Sequence, residues 1–185
     1  QWIRTPELSV ALLDEWENKI ERLAEVTAEE NVTSLAGVPT WTLILLKRIL
    51  EIKGKSTIKE VWPNLELYIN GGVSFVPYKD QFDKIIGGKI NYLEIYNASE
   101  GFIAGQQSPD DDGLLLFTEH GIFYEFMPVE EYGNENPKTV GLNHVQVGKN
   151  YALIISTTGG LWRYLIGDTI QFTKLNPYHI KVSGR

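Results

Sequence analysis

Residues 65–96 read LELYINGGVSFVPYKDQFDKIIGGKINYLEIY, and this stretch decides the fold class. Residues 65–69 are a short apolar run that stops at Gly71-Gly72, residues 78–86 place apolar side chains at helical spacing, and residues 90–96 form a second strand candidate. A strand, a helix and a strand in that order predict a β-α-β unit, with parallel strands joined by a right-handed crossover. Ligands of open α/β sheets bind beyond the carboxyl ends of the strands. Both Gly71-Gly72 and the residues after Tyr96 occupy such ends.

Upstream, Thr5-Pro6-Glu7 reads as an N-cap, a proline and an acid in the first turn of a helix. Apolar positions Leu8, Leu12, Leu13, Trp16, Ile20 and Leu23 give it one apolar face. Thr27 with Glu30 has the spacing of a capping box and predicts a short second helix. Thr40 after Pro39 opens a third helix that ends near Lys53-Gly54, and its many apolar positions predict deep burial. Downstream of residue 110 the helical period gives way to short β-rich runs at 114–118, 122–127, 144–147, 151–157, 161–165, 169–172 and 180–182. The expected fold is therefore α/β: a β-α-β unit with flanking helices over residues 1–109, then a β-rich subdomain over 110–185 forming an antiparallel sheet or partial barrel.

Composition bounds the function. Acidic residues outnumber basic ones by 24 to 17 and the basic residues are scattered, so no stripe for a phosphodiester backbone exists and nucleic acid is not an expected partner. No apolar run reaches the roughly 20 residues of a membrane span, and the amino end lacks a signal-peptide pattern, so a cytoplasmic address is expected. With no cysteine there is no disulfide, thiolate metal site or cysteine nucleophile. Position 1 is Gln, the only methionine is Met127, and the sequence closes on Val182-Ser183-Gly184-Arg185; it reads as an interior piece of a longer chain.

Two clusters carry candidate chemistry. In Tyr96-Asn97-Ala98-Ser99-Glu100-Gly101 an aromatic face suits a purine, a hydroxyl suits a phosphate oxygen, and a carboxylate suits Mg²⁺, which takes hard oxygen ligands. The same residue types also make an ordinary strand end and turn. In Gly159-Gly160-Leu161-Trp162-Arg163-Tyr164-Leu165-Ile166-Gly167-Asp168, a hairpin turn leads into a strand that ends in a carboxylate able to accept two hydrogen bonds from vicinal ribose hydroxyls. Gly-Asp also closes many plain hairpins. Asp110-Asp111-Asp112-Gly113 lacks the ligand period and closing Glu of a calcium loop and reads as a turn. His120, His144 and His179 show no ligand spacing.

Taken together and in order, the clusters resemble the acyl-adenylate-forming, firefly luciferase-like superfamily: Tyr96-Asn97-Ala98-Ser99-Glu100 resembles its aromatic-x-x-(Ser/Thr)-Glu motif, Tyr164-Leu165-Ile166-Gly167-Asp168 its Tyr-x-x-Gly-Asp motif, and Ser183-Gly184-Arg185 the Gly-Arg before its interdomain hinge. Gly37-Val38-Pro39-Thr40-Trp41, Phe123-Tyr124-Glu125-Phe126-Met127-Pro128 and Gly160-Leu161-Trp162-Arg163-Tyr164 further resemble the auxin-responsive Gretchen Hagen family of acyl-acid amido synthetases, in its bacterial form.

The resemblance implies ATP and Mg²⁺ as cofactors, a carboxylic acid and an amine, such as an amino acid, as partners, and roles for particular residues. Tyr96 would stack on adenine beside Asn97 and Ala98, Ser99 would contact phosphate, Glu100 would ligate Mg²⁺, and Asp168 would hold the ribose. Arg185 would approach ribose or phosphate, Gly71-Gly72-Val73 would line the adenine and acyl pockets, and Gly101 and Phe102 would form acyl wall. The family's phosphate loop and its small carboxyl-terminal domain with a catalytic lysine have no counterpart in these residues, so residues 1–185 alone are expected to be inactive. Leu165 stands where the family usually has Arg. A thiol acceptor, as in acyl-CoA ligases, and a non-catalytic adenylate-binding module are the alternative readings.

Overall fold

In the computed structural model, which describes residues 4–184, the helices α1 (Leu8–Ala11), α2 (Trp16–Thr27), α3 (Pro39–Lys53) and α4 (Lys79–Ile86) all lie in a first unit that extends to Glu94. The expected first helix is broken into α1 and α2, with residues 12–15 between them. Thr27 opens no second helix. It is the last residue of α2, and its hydroxyl donates back to the Leu23 carbonyl at 2.6 Å. Proline at the start of α3, where no intrahelical N–H is needed, and Gly54 at φ +61° after its end fix both limits of that helix. Only one face of α3 is deeply buried, through Leu43, Leu46 and Ile49; Trp41 and Ile44 remain 50% and 44% exposed.

Strand β1 (Ser34–Gly37) pairs in parallel with β2 (Leu67–Gly71). The start of β3 (Asn91–Ala98) lies on the other side of β2, where the Asn91 amide donates to the Glu66 carbonyl at 2.8 Å. Neighbouring strands that begin side by side run in the same direction, so β2, α4 and β3 form the expected β-α-β unit. The core of this unit gathers Leu46, Ile49, Ile58, Trp62, Leu65, Tyr68, Phe82 and Ile86. Tyr68 stacks on Phe82 with ring centroids 4.6 Å apart, and the Trp62 indole donates to the Thr27 carbonyl at 2.8 Å.

The second unit starts at Ile95, within β3, and not at residue 110. Pairing explains the difference: the end of β3 pairs with β4 (Gly101–Gly105), and β4 with β5 (Leu114–Leu116), which ties residues 95–105 to the β-rich half. The remaining strands are β6 (Ile122–Pro128), β7 (Asn150–Thr157), β8 (Tyr164–Leu175) and β9 (Tyr178–Gly184), in the order β3-β4-β5-β9-β8-β7-β6 with every pair antiparallel. Two expected strands, 161–165 and 169–172, belong to the single long strand β8. Residues 144–147 form no strand; Leu142–His144 is a short 3-10 turn, and Val147 makes only an isolated bridge to Phe172. The core of this unit holds Ile103, Phe126, Tyr151, Leu153, Ile155, Ile170, Phe172 and Ile180. Among the described residues no helix is long and apolar enough to cross a membrane.

Candidate functional site

The site is built on two irregularities of the second unit. The first is in the β3–β4 hairpin, where Ala98 opposite Gly101 leaves Ser99 and Glu100 as a two-residue turn. Tyr96 opposes Ala104 while Asn97 opposes Phe102, so Ile103 is an extra residue on β4. Tyr96 points inward and is 7% exposed; Asn97 and Ser99 are exposed, and Ala98, Glu100 and Gly101 are half-buried.

The second irregularity lies in β8. Ala152 of β7 opposes Thr169, and Ile154 opposes Leu165, so two steps along β7 are matched by four along β8. Ile166, Gly167 and Asp168 therefore bulge opposite Leu153. Gly167 takes a φ of +97°, outside the range that side-chain-bearing residues adopt readily. After that turn the Asp168 side chain is buried, with 2% of the residue exposed.

The Tyr96 hydroxyl donates to Asp168 Oδ2 at 2.7 Å, across 72 positions of sequence. Strands β4, β5 and β9 lie between β3 and β8 in the sheet order. Four strand spacings on a flat sheet would place β3 and β8 about 19 Å apart. A direct bond between their side chains means that the sheet curls until the two strands face each other across the interior. The curl brings the two sequence motifs together.

On the same hairpin, Gly101 permits close packing, since a Cβ there would stand 2.7 Å from Ile122 Cδ1. Phe102 is 43% exposed and meets Phe117 at a centroid distance of 5.1 Å; Phe117 in turn meets His120 at 4.8 Å. Residue 117 falls in the expected run 114–118, and His120 is a histidine without ligand spacing in the sequence; their place in this row of rings comes from β5 ending at Leu116, so that both belong to the β5–β6 connection. Tyr124, beneath this row, donates to the Phe117 carbonyl, and burial pushes its phenol up to about 12.

Arg163 precedes β8 in a left-handed conformation at φ +44°. Its guanidinium donates to Glu125 Oε2 at 3.0 Å, and Thr139 donates to Glu125 Oε1 at 2.7 Å. Its charge is committed to this surface pair.

Gly71, Gly72 and Val73 lie in the first unit at the carboxyl end of β2, with Gly72 at φ +82° and Val73 42% exposed. The residue before them, Asn70, was passed over in the sequence. It is 1% exposed, its Nδ2 donates to the Leu93 carbonyl at 3.0 Å, and its Oδ1 accepts no hydrogen bond. An unpaired buried acceptor costs about 1–3 kcal/mol, so a strand-end Asn beside Gly-Gly is the signal that could have flagged it. Arg185 lies outside the described residues.

No three acidic or histidine side chains gather as a metal site among the described residues. Mg²⁺ in nucleotide enzymes is commonly held by one or two carboxylates together with substrate phosphates. Glu100, on a half-buried turn, is a carboxylate of that kind.

Comparison with known proteins adds three findings. The model of the GH3 family N-terminal domain matches residues 1–90, and that of the GH3 family central domain matches residues 115–185. Among curated relatives, an indole-3-acetic acid-amido synthetase (GH3.3) of Arabidopsis thaliana is 29% identical over 123 residues, covering 63% of this chain and 20% of the relative. A jasmonoyl-L-amino acid synthetase (GH3.5) of Oryza sativa subsp. japonica is 28% identical over 136 residues, covering 64% and 23%. The chain thus spans about a fifth of the length of these relatives. Among solved structures, a GH3.15 acyl acid amido synthetase superposes with a TM-score of 0.71 at 16% identity over 96% of this chain and 41% of that one. A 2-hydroxyisobutyryl-CoA ligase in complex with 2-HIB-AMP and CoA superposes with a TM-score of 0.63 at 14% identity, over 90% and 36%. At these identities the superpositions establish the shared fold.

Proposed function

From the premise that this chain belongs to the GH3 family, whose N-terminal and central domain models together match most of its length, we propose that it contributes the nucleotide-binding part of an ATP-dependent ligase joining a carboxylic acid to an amino acid. The observation that carries the proposal is the bond from Tyr96 to Asp168, which unites the two motif segments in one unit.

The reaction runs in two halves. A carboxylate is a poor acyl donor because oxide is a poor leaving group. Attack of the acid on the α-phosphate of ATP forms an acyl adenylate and releases pyrophosphate. The amine then attacks the activated carbonyl and AMP departs. Asp168 accepts hydrogen bonds from the ribose hydroxyls, fixing the nucleoside relative to the Ser99-Glu100 turn. Tyr96, with Asn97 and Ala98, borders the nucleoside, and the Ser99 hydroxyl donates to a phosphate oxygen. Glu100 would hold Mg²⁺, which would supply charge to offset that of the phosphates. In the first unit, the resemblance gives Gly71, Gly72 and Val73 a ligand-lining role, and glycine allows backbone to approach a ligand closely. Gly101 and Phe102 form acyl wall. The names of the matched relatives, amido and amino acid synthetases, support an amine acceptor over a thiol, whereas the likeness to CoA ligases extends to fold alone.

The test is pyrophosphate release by the full-length protein across a panel of acids, with and without amino acids. Glu100→Ala should reduce release at least about a hundredfold, as loss of charge stabilisation at a reacting centre does. Unchanged release by that variant would remove Glu100 from the reaction.

A further inference from the structure

Tyr96 stands out because its ring and its hydroxyl do different things. The ring belongs to the apolar core of the second unit, together with Ile103, Ala104, Tyr124 and Ile155. The hydroxyl leaves that core and donates to Asp168 Oδ2. We infer that the Tyr96 hydroxyl is a positioning group for Asp168: it fixes the carboxylate so that its acceptor lone pairs meet the two ribose hydroxyls of the nucleotide. This rests on the reading of Asp168 as the ribose-binding residue, and it gives Tyr96 a role distinct from stacking on the base.

The geometry requires such a group. Asp168 follows a glycine at φ +97° inside a four-against-two bulge, where the ladder that would otherwise hold the strand is interrupted. An aspartate has two side-chain torsions, and its carboxylate torsion is broad. A hydrogen bond from the Tyr96 hydroxyl narrows that torsion. The donor comes from β3, whose one buried side chain is Tyr96, and it reaches the carboxylate across the interior of the curled sheet. A carboxylate has about four lone-pair sites. A bond to one of them orients the others.

Two nucleotides separate positioning from stacking and from general stability. AMP presents both ribose hydroxyls; 2′,3′-dideoxy-AMP presents neither and keeps the same base and phosphate. Affinities are measured by calorimetry on the full-length protein. The unaltered protein should prefer AMP, and Tyr96→Phe, which retains the ring, should lower that preference about tenfold, the effect expected for loss of a hydrogen bond to a charged group. Its affinity for the dideoxy compound should stay unchanged, which a stacking or purely structural role would not give. In the Asp168→Asn background, adding Tyr96→Phe should change the preference no further, and this pair of variants carries the test should Tyr96→Phe fail to fold alone.

A Tyr96→Phe protein that keeps the full preference for AMP overturns the inference while leaving the assignment of Asp168 standing. An equal drop in affinity for both nucleotides overturns it in favour of stacking. If the unaltered protein does not distinguish the two nucleotides, the ribose assignment itself fails and the inference falls with it.

Discussion

Gly167→Ala isolates the bulge that delivers Asp168. A Cβ at Gly167 would meet no atom within 4 Å, so the substitution produces no collision and its cost is conformational alone. The φ of +97° lies beyond the small left-handed well near about +50 to +70° that residues with a Cβ visit. Forcing alanine there costs about 1–2 kcal/mol, and the stiffer unfolded chain returns a part of that, leaving a net loss of about 1 kcal/mol. Gly160→Ala is the matched control: its φ is +104°, it too has nothing within 4 Å, and it lies in the turn that ends with the Gly160 amide bonding the Thr157 carbonyl, outside the bulge. Urea denaturation should give both variants a similar loss of stability. AMP calorimetry should separate them, because relaxing the strain at Gly167 rotates the chain just before Asp168 and forfeits a hydrogen bond to the ribose, weakening AMP about tenfold. Equal AMP affinity of the two variants would show that the bulge does not serve the carboxylate.

Two further outcomes concern the first unit. Trp62→Phe should cost about 2 kcal/mol in urea denaturation despite keeping an aromatic ring in the core, since it strips the buried Thr27 carbonyl of its indole donor; a loss below about 0.5 kcal/mol would show that this bond contributes little. Lys79 first, then Tyr92, hold the Asp83 carboxyl below the usual carboxylate range. A depressed folded pKa gives stability that is present above the unfolded pKa and lost as pH falls through the folded one. Asp83→Asn should therefore lower stability at pH 7 by less than about 1 kcal/mol because the pair is half-exposed, read as a slightly lower thermal midpoint, and the difference should close below about pH 4. A difference that persists or widens in acid would refute the ion-pair account.

Local chemistry made much of the first unit legible. Pro39 and Gly54 limit α3 through torsions that each residue carries with it, and the β-α-β period needed no knowledge of neighbours. Thr27 shows where such reading stops. Thr-x-x-Glu spells a helix start, yet here the threonine ends a helix, and its carbonyl is satisfied by Trp62, 35 residues further on. The true capping box lies at Thr57 and Glu60, with the same letters at the same spacing. Nothing within four residues distinguishes the two; the partner of the carbonyl does.

The site divides along the same line. Motif residues could be picked out one by one, but what makes them a site is a hydrogen bond between strands separated by three others in the sheet order. That bond depends on curl, and curl depends on bulges, which break the alternation by which strands are recognised. In β8 the interruption at Gly167 split one strand of 12 residues into two expected strands, and in β4 the extra Ile103 hid the strand altogether. A regular β8 would have been easier to read. Asp168 keeps the inward face that Ile170 and Phe172 share, and what the bulge alters is the chain just before it, where Gly167 takes a φ of +97°. The irregular positions are therefore the ones to examine first for function, because there the chain leaves the ladder directly beside a buried carboxylate.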